Sequence, residues 1–242
     1  MRIIDLLPRG PIAYQEVDAL QRLLHGEVLA GADDVLILAE FTPTWTAGRH
    51  TRPEDIPDSS LPVIHTDRAG SATWHGPGQL VVYPIVKLSE PVDSVAWIRS
   101  VEGGVLGALR SIWNIPAVAI SGRAGAWIVE PGKTDRKICA IGLKIARAVT
   151  LHGLALNVNI DPELAFSGII PCGLTDADVT SLDQEGVDTT VAVVARRMVP
   201  ALVHSIDSCL ERPGTPLVWE DGSADFERLE AQAPTTSPKG TL

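Results

Sequence analysis

The stretch RKICAIGLKIARAVTLHGLALNVN, residues 136–159, decides the fold class. Its first half alternates, with Ile138, Ala140 and Gly142 on one side and Cys139, Ile141 and Leu143 on the other. A period of two is the mark of a strand. A second apolar run follows at once, so 138–149 and 151–160 read as the arms of a β-hairpin. Working outward, 117–121 and 126–129 read as short strands before it. QLVVYPIVKL (79–88) reads as a buried strand whose Pro84 calls for a bulge or an edge position. RIIDLL (2–7) and VLILAE (35–40) are apolar runs bounded by breakers, hence strands too. Helices interrupt this series. Residues 11–29 carry Ala13, Val17, Leu20 and Leu24 at helical spacing behind Pro11. Asp93 is placed to cap a helix running to Trp113, despite Gly103 and Gly104 within it. A last helix spans 191–210, with a kink expected at Pro200. Strands crowded in the middle of the chain predict an α+β fold, a mixed β-sheet flanked by helices, rather than a βαβ repeat. This unit is expected over residues 1–212. Residues 213–242, rich in Pro, Gly, Thr and Ser, read as a C-terminal extension, partly disordered.

With 242 residues and 45% apolar composition, the chain can bury a substantial core. A net charge of −10 argues against a nucleic-acid surface. No apolar run is long enough for a membrane span, and the apolar part of MRIIDLLPRG is too short for an export signal. Three cysteines, Cys139, Cys172 and Cys209, form neither a disulfide framework nor a CxxC metal pair. These features predict a reduced, cytoplasmic, enzyme-sized protein. Charge is uneven: residues 130–150 hold five bases against two acids, and 174–242 hold twelve acids against five bases. Arg136, Lys144 and Arg147 are therefore candidates for a basic face that docks an acidic partner.

Three stretches carry candidate chemistry. RAGSATWHGPGQL (68–80) packs three glycines, a proline and a histidine between strands. It reads either as a plain hairpin or as a loop that brings backbone close to a ligand. It is neither a P-loop nor a dinucleotide fingerprint. The 136–159 hairpin opens on Lys137, which by itself reads as a solvated edge charge. Cys139 reads as core and His152 as a surface histidine, and the spacing of His75, His152 and Cys172 supports no metal site. FSGIIPCGLTDADVTSL (166–182) sets Cys172 between Pro171 and Gly173, at a bend where a thiol can be reached. A catalytic thiol needs a base or a cation beside it, and a desolvated lysine amine can accept its proton.

Taken in order and spacing, RAGSATWHGPGQL, RKICAIG, TLHGLALNVN and PCGLTDADVTSL resemble the lipoyl(octanoyl) transferase family, over residues 1–210. The resemblance implies a fold similar to the catalytic domain of lipoate and biotin protein ligases. It implies transfer of an octanoyl group from octanoyl-acyl carrier protein to a lysine of lipoyl domains, those of 2-oxoacid dehydrogenases and the glycine cleavage H protein. It implies a catalytic pair that maps onto Cys172 and Lys137, with a Cys thioester intermediate, no cofactor, no metal and a monomer. The family's acyl-binding segments map onto Arg68, Ala69, Gly70, Ser71, Ala72, Thr73, Trp74 and His75, onto Ala140, Ile141 and Gly142, and onto Gly153, Leu154 and Ala155. Two positions depart from the family's pattern. Ala69 replaces the first glycine of Arg-Gly-Gly, which costs strain if that position has positive φ. Phe41-Thr42-Pro43 stands where a His-Pro is usual. Two other activities fit the same features: an ATP-dependent lipoate or biotin ligase, which has no need of Cys172, and a non-catalytic acyl-carrier-binding protein.

Overall fold

The computed structural model of the chain describes residues 1–55, 61–160, 165 and 177–232. The hairpin is its spine. β9 (Asp135–Ala146) and β10 (Val149–Asn157) pair antiparallel from Ala146 opposite Val149 to Cys139 opposite Leu156. Around them lie β1 (Arg2–Asp5), β2 (Val35–Ala39), β6 (Gln79–Ile85), β7 (Val118–Ile120), β8 (Arg123–Ile128), β11 (Ala177–Val179) and β12 (Val218–Glu220). The spatial order is β12-β1-β2-β6-β10-β9-β8-β7, with β11 paired to one end of β9. β12, β1 and β2 run parallel, while β2, β6, β10, β9 and β8 alternate in direction, so the sheet is mixed as expected. A separate small sheet is built from β3 (Thr44–Ala47), β4 (Val63–His65) and β5 (Ala72–His75), in the order β4-β3-β5. None of the three reads as a strand from local pattern, because each is short and mixes polar with apolar residues instead of forming an apolar run.

Helices cover both faces of the large sheet. α1 (Tyr14–Leu29) buries Val17, Leu20, Leu24 and Val28 against Ile37, Val81, Tyr83 and Leu151. On the other face α2 (Ser94–Trp113) and α3 (Val191–Ile206) bury Trp97, Val101, Val105, Met198 and Leu202 with Leu36, Leu80, Leu154 and Leu156. The expected cap is present: Asp93 accepts from the backbone N–H of Val95 and Ala96 at 3.0 and 2.9 Å. Gly104 within α2 has a packing reason. A Cβ there would stand 3.0 Å from the Cα of Leu202, so the small residue lets α2 and α3 approach closely. Pro200 stands inside α3.

Two expectations need correction. The stretch after 212 is in part built into the fold. β12 pairs with β1, and α4 (Ser223–Gln232) follows it, with Phe226 buried beside α1. Arg2 ties both to the sheet through Glu220 at 2.7 Å and Asp225 at 2.8 Å. A three-residue strand and a polar helix are too short to stand out from their Gly- and Pro-rich surroundings. Pro84 is neither at an edge nor at a bulge. β6 lies between β2 and β10, and Pro84 pairs with Leu36 on one side. On the other side the register places it opposite His152. The ladder is interrupted there: proline has no N–H to give, His152 N–H donates to Gln21 Oε1 instead, and the Pro84 carbonyl accepts from Thr150 Oγ1 at 2.6 Å. Among the described residues no helix is long and apolar enough to cross a membrane.

Candidate active site

β9 and β10 face each other through small residues. Gly142 pairs with Gly153 and Ala140 with Ala155, in a region where most of the sheet carries Leu, Ile and Val. Missing side-chain volume leaves a cavity of about 260 Å³ over these strands. It lies on the side of the sheet that bears Tyr83 and Ala155. The loop 68–71 and β5 close it from the other side, contributing Arg68, Ala69, Gly70, Ser71, Ala72, Thr73 and His75. Ala140, Ile141, Gly142, Gly153, Leu154 and Ala155 complete the floor. Three segments far apart in sequence are thereby brought together. Trp74 does not line the cavity: its ring lies against Gly76 and packs with Trp45, Ile160 and Ala165. Tyr83, Gly122, Arg123, Ala124 and His152 line the cavity without having been singled out for it. For the first four nothing in the sequence marks the role, since only tertiary approach of β6 and the β7–β8 turn puts them there.

Gly153 sits where the space is tightest. A Cβ would come within 2.0 Å of the Val82 carbonyl oxygen and 2.8 Å of Pro84 Cδ. Both obstacles belong to a central strand that cannot move aside. Gly153→Ala is expected to destabilise the protein by about 2–3 kcal/mol, read as a fall in the denaturant midpoint at unchanged slope. In the loop above, Gly70 has φ +87° and Ala69 does not have positive φ. The alanine at the family's glycine position is therefore accommodated without backbone strain.

Lys137 also lines the cavity. It is half-buried on β9, and its Nζ lies 4.6 Å from the centre of the Trp127 ring. That ring is buried and anchored by a hydrogen bond from Nε1 to the Arg123 carbonyl at 3.0 Å. The face of a fixed indole helps to hold the lysine side chain in place. β11 pairs with the same end of β9, setting Val179 opposite Lys137, and Thr180 N–H donates to the Lys137 carbonyl at 3.0 Å. Cys172 precedes β11 by five residues and lies outside the described residues. Cys139 is sealed in the core, and burial pushes its thiol up to about 12. Cys209 is half-buried, with its Sγ 3.3 Å from Ser100 Oγ.

Two buried histidines line the cavity. His75 donates from Nδ1 to Gln79 Oε1 at 2.7 Å, because the Gln79 amide nitrogen is already donating to Asn157 Oδ1 and the Trp74 carbonyl. Burial brings its pKa down to about 3, only partly opposed by that hydrogen bond, so the ring is neutral. His152 is no surface residue: its exposure is 1%, and burial lowers its pKa as well. Its Nε2 lies 2.7 Å from Asp67 Oδ1. Burial alone would raise the Asp67 carboxyl, but hydrogen bonds from His152, Lys144 and Arg22 hold it well below the usual carboxylate range. Lys144 reaches Asp67 at 2.6 Å, and Arg136 pairs with Glu130 at 2.8 Å and Glu185 at 3.0 Å. Two of the three charges expected to form a basic docking face are thus matched by acids within the fold. Among the described residues no group of His, Cys, Asp and Glu is arranged to hold a metal ion.

Residues 13–203 match the family model described as the lipoyl protein ligase A/B catalytic domain. The chain is similar to an octanoyltransferase of Acidothermus cellulolyticus, 46% identical over 198 residues, which are 81% of this chain and 88% of the relative. It is similar also to an octanoyltransferase of Mycolicibacterium gilvum, 45% identical over 82% of this chain and 83% of the relative. Among solved structures, a lipoate-protein ligase A bound with ATP superposes with a TM-score of 0.69 at 15% identity, covering 96% of this chain and 94% of that one. A bipartite lipoate protein ligase from Thermoplasma acidophilum, solved in a study of that ligase and its E2 lipoyl domain, gives 0.70 at 15% identity, covering 96% and 91%. At such identity the structural likeness speaks for the fold alone.

Proposed function

Because this chain belongs to the family of lipoyl protein ligase A/B catalytic domains and is an acyltransferase akin to the octanoyltransferases, we propose that it moves an octanoyl group from an acyl carrier protein to a lipoyl-domain lysine through a thioester on Cys172. The observation that carries this reading is the amine of Lys137, held on the Trp127 ring at a cavity floored by small and apolar residues. The cavity takes the acyl chain. About seven buried carbons at ~0.8 kcal/mol each stabilise it by roughly 5 kcal/mol. Lys137 takes the proton of the Cys172 thiol, and the thiolate attacks the carbonyl of the carrier thioester. The bond to the carrier sulfur breaks, and the carrier leaves as a thiol with the proton that Lys137 returns to it. The lipoyl-domain amine then attacks the acyl-enzyme and loses its proton to Lys137, which passes it to the Cys172 sulfur as the amide forms and the thiol is released. The donor is already an activated thioester, and the acyl-enzyme retains that activation, so no ATP enters the cycle.

The test is intact mass after incubation with octanoyl carrier, followed by peptide mapping. One octanoyl group is expected on Cys172 and none on Cys139 or Cys209. For Cys139 the reason is its buried, protonated thiol. An adduct on Cys139, or a Cys172→Ser variant fully active with ATP and free octanoate, would overturn the thioester route. The second result would favour a ligase.

A further inference from the structure

We propose that Tyr83 and His152 form the end stop of the acyl cavity and set the length of chain the protein transfers, with Asp67 and Gln21 as the residues that position His152. The assignment rests on the acyl-transfer reading above.

The cavity has a direction. Gly122 and Gly70 are exposed and Lys137 is half-buried, so these residues lie at its mouth. Tyr83 and His152, only 4% and 1% exposed, line its buried part. Their rings meet edge to face, with centroids 6.0 Å apart and planes at 84°. A chain whose reacting carbonyl is held near Lys137 runs toward this pair.

An alkyl terminus needs carbon to rest on, and His152 can offer it because its polar atoms are occupied. Asp67 is a carboxylate and accepts, so Nε2 carries the hydrogen and donates to Oδ1 at 2.7 Å. Nδ1 is then the lone-pair atom, and it faces the Gln21 Nε2 donor at 3.4 Å. The Gln21 amide is fixed in that orientation, since Nε2 donates to Asp18 Oδ1 at 2.7 Å and Oε1 accepts His152 N–H at 2.9 Å. With both nitrogens engaged, the ring is a wall and no proton carrier.

Its direction is set by the backbone. His152 has φ +58°, rare for a residue with a side chain. Regular alternation along β10 would send it to the α2–α3 face, with its partner Leu143. The left-handed turn instead brings it to the α1 face, where Gln21 lies. The interruption of the sheet opposite Pro84 is what leaves its N–H free to leave the ladder.

The experiment offers S-octanoyl, S-decanoyl and S-dodecanoyl pantetheine in competition and follows acylation of the full chain by intact mass. These thioesters lack a carrier protein, so docking does not enter. The wild type is expected to favour octanoyl. His152→Gly suits the positive φ and retains the N–H to Gln21, so it should fold. It is expected to raise the decanoyl-to-octanoyl rate ratio about tenfold or more. Asp67→Ala, which keeps the ring but frees it, should move the ratio the same way by about threefold. Tyr83→Leu provides a third variant acting directly on the wall. A merely structural role would lower all three rates together and leave the ratio unmoved. If the wild type is acylated and the ratio stays unchanged in the variants that fold, the end-stop assignment is overturned while acyl transfer stands. If the wild type takes no acyl group from any thioester or from the octanoyl carrier, the acyl-transfer reading falls, and the end stop falls with it.

Discussion

Cys172→Ala is expected to reduce octanoyl transfer by about 10⁴-fold or more, because on the proposed thioester route it removes the nucleophile. The residual rate should be that of direct aminolysis between carrier and acceptor held close together. The measurement is octanoylation of a lipoyl domain by octanoyl carrier under single-turnover conditions, with melting of the variant followed in parallel. Mass spectrometry of the same mixture should show no acyl-enzyme. Of the other thiols, Cys139 is sealed in the core with its thiol pushed up to about 12, and Cys209 lines no part of the cavity. Neither is expected to take over. Retention of a tenth of the wild-type rate would mean that the acyl group never rests on Cys172.

Lys137→Met should lower the rate by about 10²–10⁴-fold, the range for losing a positioned proton acceptor. Methionine retains much of the volume beside Trp127, so the loss isolates the amine. Lys137→Arg is not expected to restore the rate. A guanidinium stays charged and cannot take a proton. Thiol alkylation against pH separates this role from packing. The wild-type profile should rise at lower pH than that of Lys137→Met, since a neighbouring cation favours the thiolate. Superimposable profiles would remove the coupling between Lys137 and Cys172, whatever the rates.

What the sequence determined by itself is the architecture and the segments that come together around one cavity. The period of two across 138–143, the helical spacing of Val17, Leu20 and Leu24, and the Asp93 cap are local signals, and each appears where expected. The small residues Ala140, Gly142, Gly153 and Ala155 belong to the segments that the family resemblance singled out, and they lie on one cavity floor. Short elements were not legible. β3, β4, β5, β11 and β12 have too few residues for a pattern, and they exist because neighbouring strands and side chains offer them partners. The meaning of individual charges was likewise decided by tertiary contact. Arg136 and Lys144 look like a basic patch in the chain, but Glu130 within the same stretch, and Glu185 and Asp67 from elsewhere, pair with them. His152 shows the division most sharply. By pattern it is a turn histidine at the surface. In the fold it is buried, because Pro84 breaks the ladder opposite it and Gln21 and Asp67, from α1 and the loop before Arg68, saturate both of its nitrogens. A polar ring can be buried only where partners for its nitrogens are supplied, and those partners are remote in sequence.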